Sequence, residues 1–222
     1  MESLVPLTYF LFTLGFQDSV EIVGRRFSLR KMEVIALSKL VRSPEESLRN
    51  SLKVVPSKCV TGRDLGIDGF NVLITLEAAL SGQSVYVCSD GMVRDLSLAY
   101  SSYKPSDMFD EAVHLLNDVL KLLKPEKAVI YLDSPISKSG RIASRMREII
   151  NDAEVVVSKN VDSDILEHEV VASSDSRIIS LASCIVDLPR IALERIGILP
   201  KSLFPSEGWI PGLRFDRSTQ NG

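Results

Sequence analysis

Arg63-Asp64-Leu65-Gly66-Ile67-Asp68-Gly69-Phe70-Asn71-Val72-Leu73 decides the fold. It reads as a short buried strand that ends in a carboxylate and passes at once through a turn into an apolar helix. Junctions of this kind, repeated along a chain, stack the strand ends into one rim, and in an open α/β sheet ligands sit at that rim. If the rim is a metal site, other strands should end in acids as well.

Downstream of this junction strands and helices alternate, the signature of a mostly parallel sheet covered on both faces. The pattern predicts a strand over 65–68, a helix over 70–81, a Gly82-Gln83 turn, a strand over 84–88, a loop carrying Asp90-Gly91, and a variable stretch to Pro105. A helix over 107–123 follows, with Ser106 as its cap and Phe109, Val113, Leu116 and Leu120 at helical spacing. A strand over 128–132 runs into Asp133, and a turn-rich loop leads to a helix from Gly140 to Ile150. Then come a strand over 154–158, a short helix, a strand over 169–172, a helix to Leu181, a last strand over 184–188, and a helical turn with Arg190 and Arg195. From Pro200 onward, through the lone Trp209, no period is present.

Upstream, residues 4–55 read as helical, and the clearest start is Ser43-Pro44-Glu45-Glu46, with a capping serine, proline at the first helical position and glutamate closing the box. Pro56-Ser57-Lys58 marks a boundary. The expected architecture is a three-layer α/β unit over 58–198, its mostly parallel sheet flanked by helices, behind a small all-helical domain over 1–57 and ahead of an irregular tail over 199–222.

With 45% hydrophobic and 25% charged residues, the 222-residue chain is an ordinary globular one. Its longest apolar run, Leu4 to Phe16, contains Pro6, Thr8, Thr13 and Gly15 and is shorter than the roughly 20 residues that span a bilayer. Glu2, with no Lys or Arg ahead of that run, argues against a signal peptide, so a cytoplasmic location is expected. Cys59, Cys88 and Cys184 are isolated and odd in number, which suits buried free thiols better than disulfides or a zinc site. His114 and His168 are the only histidines, too few for a His-rich metal centre, and both read as surface or satisfied side chains. Charge is uneven: residues 1–58 hold nine Lys or Arg against six Asp or Glu, and residues 59–222 hold seventeen against twenty-three. A basic segment ahead of an acidic body hints at a polyanion partner, although Arg25, Arg26, Arg30 and Lys31 read more plainly as solvated helix faces.

Four strand ends carry acids: Asp68, Asp133, the Asp162/Asp164 pair, and Asp175. In a parallel sheet they point to one rim, where mutual repulsion calls for a cation, and an all-oxygen set selects Mg²⁺ or Mn²⁺. Asn71 is placed to orient a carboxylate or a water, and Ser139-Gly140-Arg141 offers a helix start and a guanidinium to a phosphate. Each residue also has a plain reading. Aspartates after strands serve as turn formers and helix caps, Asp175 after Ser173-Ser174 most of all. Asp90 in Ser89-Asp90-Gly91 suits a simple turn, and Arg145 and Arg147 a solvated helix.

Ile67-Asp68-Gly69-Phe70-Asn71-Val72 resembles the opening motif of the NYN branch of PIN-like ribonucleases. Tyr131-Leu132-Asp133-Ser134, Val157 to Asp164, and Val171-Ala172-Ser173-Ser174-Asp175-Ser176 resemble the later acidic motifs of that fold, in the same order, over roughly residues 63–188. The whole chain is similar to a largely archaeal family in which a helical part, domain of unknown function 434, precedes a PIN-like part; Gly15-Phe16 and Glu21 to Phe27 carry the first resemblance. Asp68 to Leu73, Ser89-Asp90-Gly91, Leu132 to Pro135 and Ser139-Gly140-Arg141 carry the second.

What the resemblance implies is a metal-dependent ribonuclease. Its catalytic set is Asp68, Asp133, Asp162, Asp164 and Asp175, with Asp162 and Asp164 competing for one role. Mg²⁺ or Mn²⁺ is held by Asp68, Asp133, Asp164 and Asp175, and RNA is met by Asn71, Ser139, Arg141 and Lys159. RNA is the expected partner, with no membrane and with a homodimer left open. The alternative is a catalytically inactive RNA-binding or assembly module on the same fold. An aspartyl-phosphate phosphatase is disfavoured, because Phe70 stands where its second acid belongs.

Overall fold

Alternation along Asp64–Asp68 gives the central sheet its two faces: Leu65 and Ile67 turn to one side and Gly66 to the other. The structure, a computed structural model, describes residues 2–97, 103–136 and 138–204. It begins with helices α1 (Leu4–Thr13), α2 (Ser19–Arg26), α3 (Lys31–Leu40) and α4 (Pro44–Ser51). Strand β1 (Asp64–Asp68), helix α5 (Gly69–Leu80), and strands β2 (Val85–Val87) and β3 (Val93–Asp95) follow. Next are α6 (Phe109–Leu123), β4 (Lys127–Asp133), α7 (Ser139–Ile149), β5 (Glu154–Ser158), α8 (Val161–Ile165), β6 (Val170–Ala172), α9 (Ser176–Leu181), α10 (Leu188–Arg195) and β7 (Lys201–Ser202).

The fold is α/β, with a parallel sheet flanked by helices. Its strand order is β5-β4-β1-β6 and every neighbouring pair is parallel. With both faces covered, the strands need apolar residues on both sides, hence near-continuous runs such as Ala128-Val129-Ile130. On one face Leu65, Ile67, Ile130, Leu132 and Ala172 pack with Phe70 and Leu73 of α5, Leu116 of α6, Met146 of α7 and Leu193 of α10. On the other face Val171 and Tyr131 meet Ile165 of α8 and Ile178 and Ile179 of α9.

A second sheet, β3-β2-β7, pairs β2 antiparallel to β3 and parallel to β7. Tyr86 and Cys88 from this region share a hydrophobic cluster with Val5 and Tyr9 of α1, Val20 and Val23 of α2, and Leu37 and Leu40 of α3. The N-terminal helices thus close over β2. Among the described residues no helix is long and apolar enough to cross a membrane.

Several expectations are corrected. The stretch read as variable after Asp90 contains β3, whose three residues are all buried although one is Arg94 and another Asp95. The tail read as irregular supplies β7; its remainder, with Trp209, lies outside the described residues. The last strand shrinks to a single bridging residue, Ile185, because Asp187 caps α10 by accepting from the Arg190 amide at 3.1 Å and ends the extended run. Ser106 is not the first cap of α6: Met108 holds that position, and Glu77 takes the Ser106 amide and hydroxyl at 2.7 and 2.6 Å. The cysteines are free as expected, but only Cys88 is buried; Cys59 is half-buried, as is Cys184, which lies 3.9 Å from an Arg63 nitrogen. Arg145 pairs with Asp110 and Glu148 at the surface, whereas Arg147 does more than solvate its helix: it holds the Val155 carbonyl and so fastens α7 to β5.

Glycine is needed at position 66. A Cβ there would sit 2.6 Å from Cδ2 and 2.9 Å from Cγ of the His168 ring, which lies over the strand. Gly66→Ala is expected to destabilise the fold by about 1–3 kcal/mol in urea denaturation. In a His168→Ala background most of that loss should vanish, since the two residues are in contact and their effects do not add.

Candidate functional site

The chain moves from β1 outward to β4 and β5 and then returns to place β6 on the other side of β1, so the strand order reverses between β1 and β6. A reversal of this kind opens a crevice at the carboxyl ends of the two strands. Asp68, the last residue of β1, stands at that crevice and is 1% exposed. Ile67 pairs with Ala172, so the next residues, Asp68 and Ser173, are neighbours, and the Ser173 hydroxyl donates to Asp68 Oδ2 at 2.9 Å. The Asn71 side-chain amide donates to the same oxygen, and the Asn71 backbone amide donates to Asp68 Oδ1 at 3.3 Å. Asp68 is therefore also the N-cap of α5. Ser174 closes the arrangement by donating from Oγ to Asn71 Oδ1 at 3.5 Å.

On β4 the residue opposite Asp68 is Tyr131, so Asp133 lies two residues further out on the same face of the sheet, half-buried. Burial pushes the Asp68 carboxyl up to about 6, against the lowering effect of its hydrogen bonds with Asn71 and Ser173, and the negative charge of Asp133 pushes in the same direction as burial. Asp133 pairs in register with Ser158 at the end of β5, and the Ser158 hydroxyl donates to Asp164 Oδ2. The rim thus steps from Ser173 and Asp68 to Asp133, two residues further out, and on to Ser158 and Asp164.

Two expected members stand apart. Asp162 is exposed and faces Arg177 of α9 at 3.7 Å. Asp175 is exposed and caps α9, its Oδ1 accepting from the amides of Arg177 and Ile178 at 2.7 and 3.2 Å. Of the competing pair, Asp164 is the one tied to the rim. Ser139 is buried and directs its hydroxyl to the Ser134 carbonyl at 3.4 Å, while Arg141 and Lys159 are exposed. The amides of Ser139 and Arg141 are already taken by the carbonyls of Ile136 and Lys138, so neither is available to an anion there.

Among the described residues no group of three or more His, Cys, Asp and Glu stands ready to hold a metal ion. The arrangement that remains is a two-carboxylate one, Asp68 with Asp133. That set suits Mg²⁺, which keeps several waters and takes one or two carboxylates, and not a closed cage of acids. An open depression of about 710 Å³ between α2 and α3, lined by Asp18, Glu21 and Arg25 among others, shares no residue with the rim. Its charged residues are exposed and of both signs, with no buried polar side chain among them.

Three groups have surroundings that the sequence does not reveal. Ser173 became relevant only through the β1–β6 register. Asp90, read as a turn former, is wholly buried in a two-pronged pair with Arg94, both contacts at 2.7 Å. His168, read as a surface or satisfied side chain, is satisfied at one nitrogen: Nε2 meets the Tyr131 hydroxyl at 2.8 Å, whereas Nδ1 lies 2.9 Å from Asp64 Oδ2 without hydrogen-bond alignment. His114 is exposed.

Residues 57–191 match the domain of unknown function DUF5616. The chain belongs to this family. The DUF5616 segment encloses every rim residue from Asp68 to Ser173. Uncharacterized protein MJ0935 from Methanocaldococcus jannaschii is 36% identical over 193 residues, spanning 83% of this chain and 92% of that protein. No solved structure matches the chain.

A carboxyl whose folded pKa lies above its unfolded value binds its proton more tightly in the native state. Its contribution to stability is complete below about pH 4 and is lost as pH rises through about 6. The interval corresponds to roughly 3 kcal/mol. In metal-free urea titrations the wild type is therefore expected to lose about that much between pH 4 and pH 7 relative to Asp68→Asn, which carries no ionisable group there.

Proposed function

We propose that the chain is a divalent-metal-dependent ribonuclease of PIN-like fold, with Asp68 and Asp133 as the carboxylates that hold Mg²⁺ or Mn²⁺. The observation that carries this reading is the buried Asp68 carboxylate, held in place by Asn71 and Ser173 and set close enough to Asp133 for their charges to oppose, at the reversal point of a parallel sheet. No basic side chain is among the described hydrogen-bond partners of Asp68, so its negative charge is one that a hard cation would neutralise. The ordered resemblance of the acidic motifs to NYN-type nucleases supports the same reading.

The bound ion would make a water acidic and neutralise charge on a phosphodiester. Asn71 and Ser173 fix the orientation of Asp68 by donating to its oxygens. Asp133, half-buried and two residues beyond the Asp68 row, supplies the second oxygen ligand from the solvent side. Asp164, held by Ser158, adds negative charge further along the rim, where it favours a cation and can accept a proton from an attacking water. Asp162 and Asp175 have no part in this scheme, and Lys159 and Arg141, both exposed, are left to meet the RNA backbone.

A second reading, an RNA-binding module without catalysis, is favoured by one observation: Arg25, Arg26, Arg30 and Lys31 are all exposed around α2 and the start of α3, and among the described residues only Arg30 of these four has an acidic partner, Glu33. In that case phosphate contacts give the affinity, and it falls with salt whatever happens to the acids.

The ribonuclease reading predicts Mn²⁺-dependent cleavage of an RNA panel, reduced roughly 100-fold or more in Asp68→Asn. Mn²⁺ at about 100 times its Kd should also stabilise the wild type by about 2.7 kcal/mol in thermal or urea unfolding, and leave Asp68→Asn nearly unmoved. An intact RNA panel together with no calorimetric uptake of Mn²⁺ rejects the reading. RNA binding that survives Asp68→Asn but collapses on neutralising Arg25, Arg26 and Lys31 selects the second one.

A further inference from the structure

Outside the rim, the most deeply buried ion pair among the described residues is Asp90–Arg94, with side chains 0% and 4% exposed. The two-pronged pair makes two hydrogen bonds and leaves further acceptor sites on Asp90 and donors on Arg94 to be satisfied. These further contacts are informative. Asp90 Oδ1 also accepts from the Met92 amide at 3.2 Å, and Oδ2 from the Asn50 side chain of α4 at 3.4 Å. The remaining guanidinium nitrogen, Arg94 Nε, donates to the backbone carbonyl of Ser174 at 2.9 Å.

Ser174 is the residue whose hydroxyl meets Asn71, and it follows Ser173, whose hydroxyl meets Asp68. The segment between β6 and α9 is only three residues long; within it the Asp175 amide donates to Ser173 Oγ at 3.1 Å, and at its far end Asp175 caps α9. The anchor itself is held from the N-terminal side. Besides Asn50, the neighbouring Ser89 hydroxyl accepts from the Arg42 amide at 2.8 Å and shares a 2.9 Å contact with Ser47 of α4.

We propose that Arg94 is a positioning residue for the Asp68 site: it clamps the Ser174 carbonyl, and so holds the Ser173 and Ser174 hydroxyls on Asp68 and Asn71, with Asp90 and α4 as the fixed end of the clamp. The proposal rests on reading Asp68 as the central carboxylate of the site. The guanidinium is suited to the task because its planar fork reaches the two Asp90 oxygens and the carbonyl at once. A lysine would keep the charge that Asp90 needs but has one nitrogen in place of three, so it cannot hold that geometry. Charge neutralisation and positioning are therefore separable in one substitution.

The test is Arg94→Lys, read by NMR on the full chain without metal or RNA. Expected are roughly tenfold or faster hydrogen exchange at the Asp175 amide and a displaced Asn71 side-chain amide resonance, close to that seen in Ser173→Ala, while amides of Ile67 and Leu76 keep their protection. Arg94→Met combined with Asp90→Leu, which removes both buried charges together and so leaves neither unpaired, should give the same two changes and serves if the lysine variant does not fold. Wild-type values at Asp175 and Asn71 in whichever variant folds overturn the proposal. These readouts need no activity. An inert wild type would reject the ribonuclease reading and leave the clamp standing, and an active enzyme with unchanged resonances would do the reverse.

Discussion

A carboxylate buried at the end of a central strand is the constraint that the rest of the structure answers to. Asp68 cannot be solvated, and three hydrogen bonds from Asn71 and Ser173 do not fully offset the loss of water, because burial outweighs them and holds its proton affinity high. To provide even those bonds, β6 has to lie beside β1 in a register that brings Ser173 level with Asp68, and α5 has to start within one residue of the strand. Gly69 permits that abrupt start: a Cβ there would come within 2.9 Å of the Tyr131 carbonyl and 2.6 Å of Leu132. Strand order, register and the first turn of α5 thus converge on one side chain.

The β1–α5 junction was legible because every signal in it agreed: an apolar pair flanking a glycine, a capping acid, and a long apolar helix. The same held for α6 and α7, whose buried residues recur at helical spacing, and for β4 and β5, which are short, near-continuous apolar runs. Strand β3 was not legible. Arg94 and Asp95 look like loop residues, and they are buried only because each has a partner far away or across a turn: Asp90 and the Ser174 carbonyl for one, the Thr75 hydroxyl for the other. Hydropathy has no means of recording a polar group that is satisfied. The strand expected over 184–188 failed for a local reason, since Asp187 and Pro189 together start a helix more strongly than Ile185-Val186 extends a strand.

The acids at the strand ends show how the functional and structural readings divide. Position after a strand identified all of them alike, yet their surroundings separate them. Asp68 is both a cap and a buried site group, Asp133 is half-buried beside it, Asp164 is tied to the rim by Ser158, and Asp175 is a cap in the open. The deciding quantity is which strands are neighbours, and this is carried by contacts between residues about a hundred positions apart. Membership of DUF5616 adds no chemistry to this division; it establishes that the rim lies within one family segment.

The edge of the sheet beyond β6 sets a limit on how the chain can be dissected. Ile185, fully buried, is bonded on its outer side to the segment after α4: its amide donates to the Lys53 carbonyl and its carbonyl accepts from the Val55 amide, both at 2.8 Å. Lys53 reaches on to the carbonyls that end α9. A fragment cut to the family segment at residue 57 would lose both partners and present a naked strand edge, the form of surface on which chains stack into aggregates. The unit that can be excised cleanly is therefore larger than the family segment.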